Sequence, residues 1–205
     1  MAFTVPTAVE RLLTADVAVE IARAFGDQPV YPQRVVVDSP EALPGSRRRF
    51  PGWPGPVLVL SDENQGVCSW GVPADGSDAV VVGGDLLDAG CTTVAYAASV
   101  ADFIAARRWD YRCLNGGPVL QAQAAELDQG WLAYLQARLA PAVTTAGWPG
   151  SRQYRFGGRD VRVMLWAQEG QCDWWVSSAS PASLRQFEVG LLDLPGLRQT
   201  LWSND

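Results

Sequence analysis

The 205-residue chain contains no histidine. That absence excludes Ser-His and Cys-His nucleophile pairs, His-ligated zinc and a histidine general base. Lysine is absent as well, since all 16 basic residues are arginine. Schiff-base lysines, a Walker-type phosphate-binding lysine and Ser-Lys pairs go with it. Long hydrophobic runs are missing too. None approaches the ~18 residues of a membrane span, so no membrane partner is expected. Met1 to Val5 carry no basic stretch, and the apolar positions that follow are interrupted by Glu10, Arg11 and Asp16. No signal peptide is therefore expected, and the location expected is cytoplasmic. Close cysteine pairs are also lacking: Cys68, Cys91, Cys113 and Cys172 lie far apart with no C-x-x-C spacing. They read as reduced, mostly buried thiols rather than metal ligands or a disulfide framework, and no cofactor is expected.

What is present can bury a core. Hydrophobic residues make up 48% of the chain and charged residues 19%, which separates it from a disordered tail. The formal net charge is −6, the wrong sign for a nucleic-acid binder and the right one for a protein with a basic partner.

Thr7 to Glu10 has the form of a capping box, and Val9, Leu13, Val17, Ile21 and Phe25 then recur every four residues before Gly26. This predicts one amphipathic helix. The stretch from Gln28 to Gly55 is rich in Pro, Gly and Arg and reads as irregular. Four strand candidates follow: 57–60, 66–72, 79–82 and 92–96, with turn chemistry between them, as in an antiparallel meander. Ser99 to Asp102 opens a further helix, expected to close near Arg107-Arg108-Trp109. After the break at Asn115-Gly116-Gly117-Pro118, the spacing of Leu120, Ala124, Leu127, Trp131, Leu135 and Leu139 predicts a long helix. Gly157-Gly158 and Glu169-Gly170 mark two hairpin turns, and Ser180-Pro181 marks the start of a last helix carrying Leu184, Phe187 and Leu191. The whole reads as α+β, an antiparallel sheet flanked by helices. It is expected as a single domain over 1–205, with 118–205 a C-terminal helix-hairpin-helix part. Whether that part completes the same core or forms an extension stays open.

Few groups suggest chemistry. Asp62-Glu63 offers two neighbouring carboxylates, which also fit turn-capping acids. Asp75-Gly76-Ser77-Asp78 lacks the alternating ligands of a calcium loop and reads as an Asp-Gly turn. Gly83-Gly84-Asp85 has no Gly-Lys-Ser/Thr after it and is not a phosphate loop. Arg47-Arg48-Arg49 could contact phosphates or form a solvated face. Trp174 and Trp175 are consecutive in a strand and point to opposite faces. One of them is then either exposed, as a protein-binding anchor, or packed under the last helix.

One segment carries more. Leu58-Val59-Leu60-Ser61-Asp62 leads into Glu63-Asn64-Gln65-Gly66-Val67, with Trp70 three residues after the valine. It resembles the signature of the SUKH superfamily of Smi/Knr-type proteins: a short apolar strand, an E-N-Q-G-V loop and a strand with a correctly spaced Trp. The resemblance covers residues 1–115. Ser77-Asp78-Ala79-Val80 departs from the Pro-Pro-Val segment frequent in the family and leaves the shape of that loop open. The resemblance implies a SUKH-like α+β fold and a non-catalytic bacterial immunity protein that binds and neutralises a cognate toxin, such as a nuclease or another nucleic-acid-modifying enzyme. It implies a protein partner, not nucleic acid or a membrane. Two other readings are a regulatory protein-interaction scaffold and a carboxylate-dependent hydrolase. The motif residues Glu63, Asn64, Gln65, Gly66, Val67 and Trp70 are expected to be structural. The candidate partner-binding residues are Asp62, Glu63, Asp75, Asp78, Asp85, Asp88 and Trp175, the acids being placed in loops around the meander to meet a basic toxin cleft.

Overall fold

In the computed structural model, residues 3–39, 48–84, 92–158, 160–194, 196–197 and 202–204 are described. The fold class is α+β, with two antiparallel sheets and five helices among these residues. Where one domain was expected, the chain divides into two units: Met1–Arg108 with Ala146–Trp148, and Trp109–Thr145 with Pro149–Asp205.

The first unit opens with α1 (Thr7–Leu12) and α2 (Ala15–Ala22), two helices where the four-residue spacing predicted one. Each four-residue step turns about 40° past a full revolution, so such a stripe drifts steadily around a straight helix. The break at Leu13 (φ −101, ψ 73) and extended Thr14 resets it, and Val9, Leu13, Ala18 and Ile21 share one core. The capping box at Thr7 does not form, because Pro6 holds the N-cap position without a side-chain bond.

The first sheet contains β1 (Gln28–Pro29), β2 (Val37–Asp38), β3 (Val57–Asp62), β4 (Ser69–Pro73), β5 (Val80–Gly83) and β6 (Val94–Ala97). Its order is β1-β3-β4-β5-β6, with β2 also pairing with β3, so the expected meander is present. Both of its faces are buried. Leu58, Leu60, Trp70, Val72, Val80 and Val82 pack with the helical residues Val9, Ile21, Val100 and Phe103. Val57, Val59 and Val81 pack on the other side with Val30 and Phe50 from the Pro- and Gly-rich stretch. Gly71 makes the second layer possible, since a Cβ there would stand 2.7 Å from the Phe50 ring and 2.5 Å from Val57 Cγ1.

Helix α3 (Val100–Asn115) begins with the expected cap: Asp102 N donates to Ser99 Oγ at 3.0 Å, and Ser99 Oγ to Asp102 Oδ2 at 2.9 Å. It runs six residues past Trp109, because nothing breaks a helix before Gly116-Gly117-Pro118.

The second unit continues with β7 (Val119–Ala124), α4 (Gln129–Gln136), β8 (Ala140–Pro141), β9 (Thr145–Ala146), β10 (Arg152–Gly157), β11 (Val161–Gln168), β12 (Gln171–Ser178), α5 (Pro181–Leu192) and β13 (Trp202–Asn204). Its sheet runs β13-β7-β12-β11-β10-β8, with β9 also on β10. The long helix expected over 120–139 is half strand. Leu120 and Ala124 are four apart, a spacing that serves a period of two as well as one of 3.6. In β7, Leu120, Ala122 and Ala124 all face a core built with Trp131, Leu135, Trp174 and Leu191. Segment 118–205 thus begins with a strand where a helix was expected. The Glu169-Gly170 turn is a two-residue hairpin, with Gln168 opposite Gln171 and Gly170 at φ +71. At Gly157-Gly158 the connection is wider: Gly157 pairs with Arg162. Ser180 caps α5 through Ser183 N at 3.2 Å, with Pro181 following.

Candidate functional site

The E-N-Q-G-V segment is the β3–β4 connection, and its polar groups hold the turn. Glu63 Oε2 accepts from Gln65 N at 2.8 Å and from Val67 N at 3.1 Å. Gly66 N donates to Glu63 O at 2.8 Å, and Glu63 N to Cys68 O at 2.9 Å. Gly66 lies at φ +73, in the left-handed region open to glycine. Asn64 ties the loop to the turn that follows α2, its Nδ2 donating to Phe25 O at 2.5 Å and its backbone N to Asp27 Oδ1 at 3.2 Å.

Asp27 leads to the part that sequence reasoning missed. Its carboxylate pairs with Arg107 of α3, both side chains almost fully buried. The Arg107 guanidinium lies 4.8 Å from the Trp70 ring centroid and 4.7 Å from that of Phe25. The Asn and the Trp of the motif are therefore linked: Asn64 N rests on Asp27, Asp27 on Arg107, and Arg107 on Trp70. Burial is the largest influence on Asp27 and pushes its carboxyl above its ordinary value, opposed by Arg107 and the Asn64 amide. A signal was present in the sequence. Arg107 falls three residues after Ile104 and seven after Val100, on the apolar stripe of its own helix, where a charge needs a buried partner. The next turn repeats the device in the second unit: Asp110 accepts from Arg155 Nε at 2.6 Å and Nη2 at 2.9 Å, both residues buried.

The four described candidate acids fall at two places. Asp62 accepts from Arg49 Nε at 3.0 Å and Nη2 at 3.2 Å and from Ser69 Oγ at 2.6 Å. Burial pushes its carboxyl up, but the Arg49 and Ser69 hydrogen bonds outweigh that and leave it below its ordinary value. Asp62 and Glu63 stand at one end of β3 and β4, and the turn carrying Asp75 and Asp78 stands at the other. Asp75 and Asp78 are exposed, and Asp75 accepts from Ser77 N at 2.9 Å within its own turn. Asp85 and Asp88 lie outside the described residues. Trp175 belongs to the second unit and is half-buried, its ring centroid 3.8 Å from that of Trp166. Its neighbour Trp174 is the fully buried one, edge-on to Trp131 at 5.4 Å.

A polar pocket of about 430 Å³ opens beside the loop, lined by Arg48, Arg49, Asp62, Asn64, Gln65 and Ser69 among others. Cys68, Cys113 and Cys172 are buried free thiols, and burial pushes Cys113 and Cys172 up to about 12. Cys91 lies outside the described residues. Among the described residues no cluster of three or more Cys, Asp or Glu side chains is disposed to hold a metal ion, and no helix is long and apolar enough to cross a membrane. The chain matches no protein-family profile, no curated protein and no solved structure.

Proposed function

We propose that the chain is a SUKH-type bacterial immunity protein, which acts in the cytoplasm by forming a stoichiometric complex with a cognate toxin and performs no catalysis. The observation that carries this reading is the use to which the motif's polar groups are put. Glu63 accepts two backbone amides, Asn64 ties two segments together, and Asp62 is clamped by Arg49 and Ser69. Carboxylates held this way are poorly placed to exchange protons with a substrate, which disfavours the hydrolase reading. Protonated, buried thiols are equally poor nucleophiles. The motif is then the scaffold of a binding protein, with recognition carried by surface outside it.

The net charge of −6 supports a basic partner, such as a nuclease whose cleft faces nucleic acid. Exposed Asp75 and Asp78 are the described candidates for steering it, and Trp175 is the aromatic candidate in the second unit. The test is recovery of the tagged full chain from its native cell, with bound proteins identified by mass spectrometry. One stoichiometric partner whose expression alone arrests growth supports the reading. Housekeeping partners alone, bound without any toxicity, would replace it with the regulatory scaffold.

A further inference from the structure

The β4–β5 turn stands between two clefts of the first unit. One, of about 250 Å³, is lined by Trp53, Pro54, Pro56, Pro73 and Asp75 among others. The other, of about 420 Å³, is lined by Pro6, Ala74 and Asp78 among others. Each lining includes one acid and, among the described residues, no base. That sign favours a cation. A single carboxylate supplies too few oxygen ligands for a metal ion. An organic cation with an apolar stem suits these walls instead.

The Trp53 cleft is the better built of the two. Trp53 is half-buried and anchored on the core of Val30, Phe50 and Val57. The walls are braced: Ala74 N donates to Pro56 O at 2.9 Å, and Val57 pairs with Pro73. Proline rings fix their backbone φ, so little freedom is lost when a ligand arrives. Asp75 is exposed, and hydrogen bonds from Ser77 hold its carboxyl below the ordinary value, so it stays charged. No arginine among the described residues pairs with Asp75 or lies over the Trp53 ring.

We infer that this cleft receives an arginine side chain of a basic protein partner, its stem on the proline walls and its guanidinium between Trp53 and Asp75. A guanidinium is flat and weakly hydrated. It can stack on an indole and pair with a carboxylate together, which a compact, strongly hydrated ammonium does less well. Trp and Arg are also the side chains that concentrate binding energy at interfaces. The inference deepens the proposal of a basic partner and rests on it for the source of the arginine.

The experiment is an NMR titration of the full chain with N-acetyl-arginine amide, against N-acetyl-citrulline amide at equal ionic strength. Citrulline keeps the shape of arginine and loses its charge. The arginine compound should shift the Trp53 indole N–H and the Gly76 and Ser77 amides saturably, with a dissociation constant on the order of millimolar. The Trp131 indole in the second unit should stay in place. Asp75→Ser should weaken this binding about fivefold or more. Serine keeps an oxygen for the Ser77 amide, so the turn is retained. Glu126→Gln, the same loss of charge on an exposed acid of the second unit, should leave the binding unchanged. Toward the protein recovered with the chain, Asp75→Ser should lose about tenfold in affinity or more. No saturable shift, equal shifts with citrulline, or a partner that binds Asp75→Ser as tightly as wild type overturns the inference. None of those results touches the immunity reading, which falls instead if the recovered partners have no toxicity.

Discussion

At the scale of single residues, the Asp27–Arg107 pair connects the two halves of the motif. Removing one partner of a buried pair strands the other charge, a loss of about 3–5 kcal/mol. Arg107→Met is therefore expected to lower the stability of the first unit in urea by that amount, while Asp27→Asn combined with Arg107→Met loses much less than those two single changes summed. A double-mutant cycle in urea checks both values. Asp62 makes a separate, pH-dependent contribution. Its folded carboxyl titrates below the ordinary 3.8, so its stabilisation is complete above that value and is lost as pH falls through the folded one. As pH falls through 3.8 and below, the wild type should lose more stability than Asp62→Asn. Asp27, raised by burial, acts in the opposite sense, so the difference between the two proteins is the quantity to read. Cys68, Cys113 and Cys172, all pushed up by burial, should resist a thiol reagent until the protein is denatured.

At the scale of elements, α4 depends on a cap that the helix expected over 120–139 had no place for. Asp128 Oδ1 accepts from Gly130 N at 2.6 Å and starts the helix. Asp128→Ala should destabilise the second unit by about 1 kcal/mol in denaturant unfolding, with the β7 amides still protected from hydrogen exchange. The meander, the Ser99 and Ser180 caps and the Glu169-Gly170 hairpin were legible in the sequence because each is specified within a few residues. What was not legible depends on partners far along the chain. Val119–Ala124 is a strand because β12 and β13 lie on either side of it, and spacing alone could not separate that from a helix. The motif itself was legible, but the reason for its spacing was not, since Asp27 and Arg107 lie on other elements. The described candidate acids divide between two places for a topological reason: consecutive loops of a meander alternate between the two ends of its sheet.

At the scale of the whole molecule, each unit has its own sheet and its own core, and each contains a nearly fully buried arginine–aspartate pair. A protein acting by occupancy neutralises its target one for one, whereas an enzyme would act at a small fraction of the target's amount. The deciding measurement is growth rescue: the toxin recovered with this chain is expressed alone, then with wild type or Glu63→Gln at graded levels. The substituted side chain keeps an oxygen for the Gln65 and Val67 amides, so the variant should fold. Binding predicts full rescue by both proteins once they match the toxin in amount. Rescue by wild type far below that level, lost in a folded Glu63→Gln protein, would contradict the account and make Glu63 a catalytic carboxylate.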